Sequence, residues 1–122
     1  MWEVVTRDLF EHWLAIQNDN VQEEILAILT VLELEGPMLG RPYVDHIKDS
    51  SYPNMKELRV QVDGHPFRVF FVFDPVRRAI ILCAGNKKSE KEKLFYKRMI
   101  KLADAEYKSH LLLLEVKENG DA

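Results

Sequence analysis

The chain has almost no cysteine. Cys83 is the only one in 122 residues, which excludes an internal disulfide, and its apolar surroundings mark it as an inert core thiol. The four histidines are scattered, with no C-x-x-C or H-x-x-x-H spacing, so neither a metal site nor another cofactor is expected. No apolar run reaches the roughly 20 residues that a membrane-spanning helix needs. The opening residues, MWEVVTRD, hold no basic segment followed by an apolar one, so no secretory signal is visible. Repeats and low-complexity segments are missing too. These absences set the cytoplasm as the default compartment, with no membrane partner. What remains is 47% hydrophobic and 30% charged, ordinary for one globular domain over residues 1–122. Its last residues, about 112–122, are open to fraying.

Excess charge of either sign is also lacking, since the formal net charge is −3. The balance hides a segregation. Residues 41–101 carry fourteen basic and seven acidic groups, and the remainder carries three and thirteen. A basic middle between acidic ends suggests a local anion-binding surface, with chance clustering as the alternative.

The basic middle contains the clearest structural pattern. Leu58, Val60 and Val62 alternate with Arg59, Gln61 and Asp63. After Asp63-Gly64, a hairpin turn signal, Phe67, Val69, Phe71 and Phe73 alternate with Arg68, Phe70, Val72 and Asp74. Asp74-Pro75 marks a second turn, and residues 79–84 form an apolar third strand. A two-residue loop sets Arg59 opposite Arg68; a four-residue loop sets Arg68 opposite Gln61. Both registers put the arginines on one face and the alternating apolar residues on the other. The apolar face needs a core, so the arginines are expected outward. Two like charges this close destabilise a sheet. Either nearby acids relieve them, or an anion such as phosphate sits between their guanidinium forks.

The flanking elements complete an α+β chain. Residues 2–5 read as a short strand joining the sheet. Thr6 or Arg7 opens a helix with Leu9, Phe10, Trp13, Leu14 and Ile16 as its stripe. Asn20 and Glu23 resemble a capping box for a second helix through Leu32, stopped by Gly36-Pro37. These helices form an αα-hairpin covering the apolar sheet face. Residues 38–54 read as a long loop anchored by Val44 and Ile47. In it, Arg41, Tyr43, His46, Lys48 and Tyr52 either line a site or merely cross the surface. His46 and His65 are proton carriers or plain surface histidines. Counting through the second turn puts Cys83 opposite Arg68 and Lys87 on the arginine face, about 13 Å farther along. Ser89 is placed to cap a last helix, with Leu94, Phe95, Met99, Leu102, Ala103 and Tyr107 as its apolar residues. Its lysines are either a solvated surface or part of a phosphate footprint.

Several short motifs occur together. Met55-Lys-Glu-Leu-Arg59, Phe67-Arg-Val-Phe-Phe71, Phe73-Asp74-Pro75, Ala84-Gly-Asn-Lys87, Phe95-Tyr96 and Ala103-Asp104-x-x-Tyr107-x-x-His110-Leu111 resemble, in order and spacing, the RelE/ParE superfamily. The nearest branch is the phage-derived Gp49-like, or HigB-like, toxins. The resemblance implies a RelE-like fold: a small antiparallel-dominated sheet, an N-terminal αα-hairpin on one face, and a C-terminal helix. It implies the toxin of a bacterial type II toxin–antitoxin system, a metal-independent endoribonuclease that cuts mRNA on the ribosome. A cognate antitoxin with a helix-turn-helix domain is the implied partner. Carried over by position, Arg68, Arg59 and Lys87 are the implied catalytic groups, and Lys56, Lys88, Lys91 and Tyr96 the RNA-binding ones. Two other readings fit the same resemblance: a ParE-like gyrase inhibitor, and a detoxified module that only binds antitoxin. The run Lys87-Lys88-Ser89-Glu90-Lys91 departs from the lysine- and threonine-rich run common in the HigB branch.

Overall fold

In a computed structural model, which describes residues 1–120, the alternation between Leu58 and Phe73 becomes a β-hairpin. Asp63 and Gly64 both take positive φ, 49° and 78°, as a two-residue primed turn requires. The elements run β1 (Glu3–Thr6), α1 (Asp8–Ala15), α2 (Asp19–Glu35), β2 (Val44–His46), β3 (Lys56–Val62), β4 (His65–Phe73), β5 (Arg78–Asn86) and α3 (Glu92–Gly120). The strands form one five-stranded sheet in the order β1-β5-β4-β3-β2, with β1 parallel to β5 and every other pair antiparallel. This is the expected α+β arrangement. The helix α3 runs to Gly120, through the polar segment where fraying was expected; the last two residues lie outside the described ones.

The αα-hairpin covers one face as anticipated. Phe10, Ile25, Leu29 and Leu32 pack with Leu58, Val60, Val69 and Phe71 in one buried cluster. Ile16 leaves the stripe, because it follows the last turn of α1 and stands 82% exposed. The cap of α2 is Asn18 rather than Asn20: its side chain accepts from the backbone N–H of Val21 at 3.0 Å. Gly36 ends α2 at φ 55°, and the Trp2 indole lies where its Cβ would be, so glycine is required there both for conformation and for space.

Three differences concern the sheet itself. The long loop contains β2, which pairs with Lys56–Leu58 of β3 and so forms a short edge strand. Arg68 pairs with Gly85, not Cys83. Four residues, 74–77, separate β4 from β5, Phe73 pairs with Ala79, and β5 bulges at Leu82, so Phe71 pairs with Ile81 while Phe70 pairs with Cys83. Most consequentially, the face that carries the arginines is not left open. Phe70, Val72, Ile80, Leu82 and Cys83 also project there, and α3 buries them with Phe95, Met99, Ala103 and Tyr107. Apolar area removed from water by this second layer outweighs any advantage of an open cationic face. Gly85 permits the close approach: a Cβ there would stand 3.0 Å from the Phe95 ring and 3.3 Å from the Met99 sulfur.

Polar contacts fix α3 along its length. Asp74 accepts from the backbone N–H of Arg78 at 2.9 Å and from its guanidinium at 3.1 Å, and its carboxylate lies 2.9 Å from His110 Nε2. Asp74 and His110 are both buried. Burial pushes the Asp74 carboxyl up, but the hydrogen bonds from His110 and Arg78 more than offset this and hold it below the usual range. Arg7 and Glu106 pair at 3.1 Å, and Ser50 donates to Asp104 at 2.5 Å.

Candidate nucleic-acid interface

Strand alternation assembles the site. Glu57 and Arg59 lie two apart on β3, so both leave the sheet on the α3 side. The hairpin register sets Arg68 directly opposite Arg59. Because Arg68 pairs with Gly85, Lys87 starts only two residues beyond that pair, closer than counting through the turn suggests. The second turn of α3 then brings Tyr96 over the same point.

Glu57, absent from the residues singled out by sequence, is the centre. Its Oε1 lies 3.8 Å from Arg59 Nε and 3.8 Å from Arg68 Nε, and accepts from the Tyr96 hydroxyl at 3.0 Å. The first two are ion-pair separations, too long for hydrogen bonds. Arg68 also donates to the Phe67 carbonyl at 3.0 Å. Among the described residues, the buried atoms Glu57 Oε2 and Arg68 Nε have no hydrogen-bond partner. Such orphaned atoms cost stability and point to a ligand or to water. Burial pushes the Glu57 carboxyl above its usual value; Tyr96, Arg68, Arg59 and Lys87 pull the other way without cancelling it. Tyr96 is pushed up to about 12, first by burial and then by the Glu57 carboxylate, so its hydroxyl stays protonated at neutral pH.

The predicted residues divide three ways. Arg59, Arg68, Lys87 and Tyr96 converge on Glu57. Within that group Arg68 is a correction: it is 7% exposed, held beneath the surface instead of projecting from an open face, because α3 caps its side of the sheet. Arg59, by contrast, has a side chain 40% exposed. Lys87 Nζ pairs with Glu92 at 2.7 Å and lies 5.6 Å from the Tyr96 ring centroid. Lys88 and Lys91 are exposed on the turn leading into α3. Lys56 is not brought in. It has the parity of Leu58 and leaves the sheet on the αα-hairpin side. The expected cap, Ser89, ends a 3-10 turn three residues before α3 begins, and its side chain lies outside the described residues. His65 contacts Asn86 at 2.8 Å, while His46 stays exposed on β2.

The arrangement combines cations that can hold a phosphate with a carboxylate whose raised pKa and unpaired oxygen suit proton acceptance. Among the described residues, no group of three or more His, Cys, Asp or Glu side chains is placed to hold a metal, and no helix is long and apolar enough to cross a membrane.

Known proteins match this chain over most of its length. The family model "Phage derived protein Gp49-like (DUF891)" matches residues 12–108. A protein named as a toxin, HigB3 of Mycobacterium tuberculosis (strain ATCC 25618 / H37Rv), is 42% identical over 94 residues, covering 77% of this chain and 80% of the relative. A second one so named, HigB2 of the same organism, is 42% identical over 104 residues; these cover 84% of this chain but 51% of that longer protein. The chain therefore belongs to the phage-derived Gp49-like family, and within it is a HigB-like toxin.

Proposed function

We propose that this protein is the endoribonuclease of a type II toxin–antitoxin pair, cutting mRNA on the ribosome. The carrying observation is the cluster of Arg59, Arg68 and Lys87 around a buried glutamate with one oxygen unpaired. The reaction is attack of a ribose 2′-oxygen on the adjacent phosphorus, with loss of the 5′-oxygen of the next nucleotide. Glu57 Oε2 takes the 2′-hydroxyl proton, a role matched to a carboxyl held above its usual pKa. Arg59 and Lys87 neutralise charge on the phosphoryl oxygens. Arg68, buried, is a positioning residue that keeps Glu57 in place and ionisable. The departing 5′-oxygen takes a proton from water. Products are a 2′,3′-cyclic phosphate and a 5′-hydroxyl.

The partner is a cognate antitoxin with a helix-turn-helix domain. An acidic segment of it lying over Arg59 and Lys87 would neutralise the toxin directly. The test is induction of wild type beside Arg59→Ala, with and without the antitoxin, read by primer extension on translated mRNA. Cuts inside codons that vanish in the variant are expected. Intact transcripts, with an SOS response and stalled replication instead, overturn the nuclease reading in favour of gyrase inhibition.

A further inference from the structure

A groove of about 590 Å³ opens beside Glu57 and Tyr96, between the segment following β2 and one flank of α3. Its size is that of a small-molecule site. Lys48 lines it from the loop, and Lys93 and Lys97, one helical turn apart, line it from α3. All three lysines are exposed. Ile47, Ile100 and Tyr96 supply apolar surface between them. The acidic groups on it are Asp49 and Glu57, and Glu57 is the residue with the unpaired oxygen. Lysines at the rim with an aromatic and aliphatic lining are the chemistry of a nucleotide: cations for the phosphate, apolar surface for the base. Lys93 and Lys97 form no ion pair with an acid among the described residues, so their charge is not already committed.

We infer that this groove is a second RNA subsite, holding a nucleotide that flanks the cleaved bond, with Lys93 and Lys97 on its phosphate. The inference rests on the nuclease reading and extends it. RNA then crosses the molecule from Arg59 and Lys87, over Glu57 and Tyr96, onto the flank of α3 that carries Lys93 and Lys97. The lysines of α3 that face this groove thereby change from solvated surface to substrate contacts.

The experiment is fluorescence anisotropy with a labelled, fully 2′-O-methylated oligoribonucleotide, which binds without being cut. It is titrated against wild type, Lys93→Ala/Lys97→Ala and Arg59→Ala over a series of salt concentrations. Loss of two contacts to single-stranded phosphate makes the slope of log K against log salt shallower by about 1.4. That change, with weaker binding at low salt and an unaltered melting temperature, is expected for the double variant. An unchanged slope and affinity while Arg59→Ala still weakens binding overturns the groove and leaves the nuclease reading intact. Binding that neither variant weakens, or that wild type lacks, overturns the groove, while the nuclease reading is decided separately by primer extension on translated mRNA. If the double variant binds the RNA normally but loses a poly-glutamate peptide that wild type holds, the face docks an acidic protein segment, and the RNA subsite is rejected.

Discussion

Glu57 is a carboxylate placed where carboxylates are expensive. Burial raises its folded-state pKa above the unfolded value of about 4.5. A group shifted in this direction supports the fold below its unfolded pKa, and that support is lost as pH rises through the folded value. Melting curves should therefore show Glu57→Gln gaining on wild type between pH 4 and pH 8; a gap independent of pH would contradict the assignment. The same shift predicts that RNA cleavage falls on the acid side with a midpoint above 4.5, and that Glu57→Gln abolishes this limb along with most activity. The two arginines should separate cleanly. Arg59→Ala, at a half-open position, loses about 10²–10³ in cleavage rate while its stability changes by less than about 1 kcal/mol. Arg68→Ala breaks a buried pair and costs about 3–5 kcal/mol by denaturant unfolding, so its activity loss must be read beside its stability.

At the level of elements, the β3–β4 hairpin was legible because strict alternation and Asp63-Gly64 agree, and its two-residue register set Arg59 opposite Arg68. The β5 register was not, because Leu82 and Cys83 are both apolar and a bulge at Leu82 breaks no pattern. β2, three residues long, is too short for any periodicity. Glu57 could have been found, since it shares a face with Arg59 by simple alternation. The cover over that face also left a trace: Phe70 and Val72 lie on it and needed a partner, which the Phe95, Met99, Ala103 and Tyr107 stripe supplies. The clasp between Asp74 and His110 belongs to this scale as well. The Asp74 pKa is depressed, so its contribution is present above the ordinary carboxylate range and is lost as pH falls through the folded value. Asp74→Ala should cost about 2–4 kcal/mol at pH 7, less under acid, measured by urea unfolding at pH 7 and pH 3.

The molecule as a whole is a sheet between two helical layers, with the site along the seam of the second. The basic middle of the sequence supplies Arg59, Arg68 and Lys87 to that seam; an open face was the wrong picture of it. Cys83 reports on whether the seam is closed. Its thiol is buried against α3 and pushed up to about 12, chiefly by burial. Alkylation at pH 8 should be slow in the native protein and accelerate when α3 is released by denaturant. Rapid native labelling would mean that the helix leaves the sheet readily.

Tyr96 and the helix that carries it follow every strand of the sheet in chain order. A growing chain that has finished its hairpin but not its final helix has Arg59, Arg68 and Glu57 in hand, with no phenol to meet the carboxylate and bare Phe70 and Val72 beside it. The order of synthesis thus leaves the carboxylate and its cations incomplete until α3 has been made and has closed over the sheet.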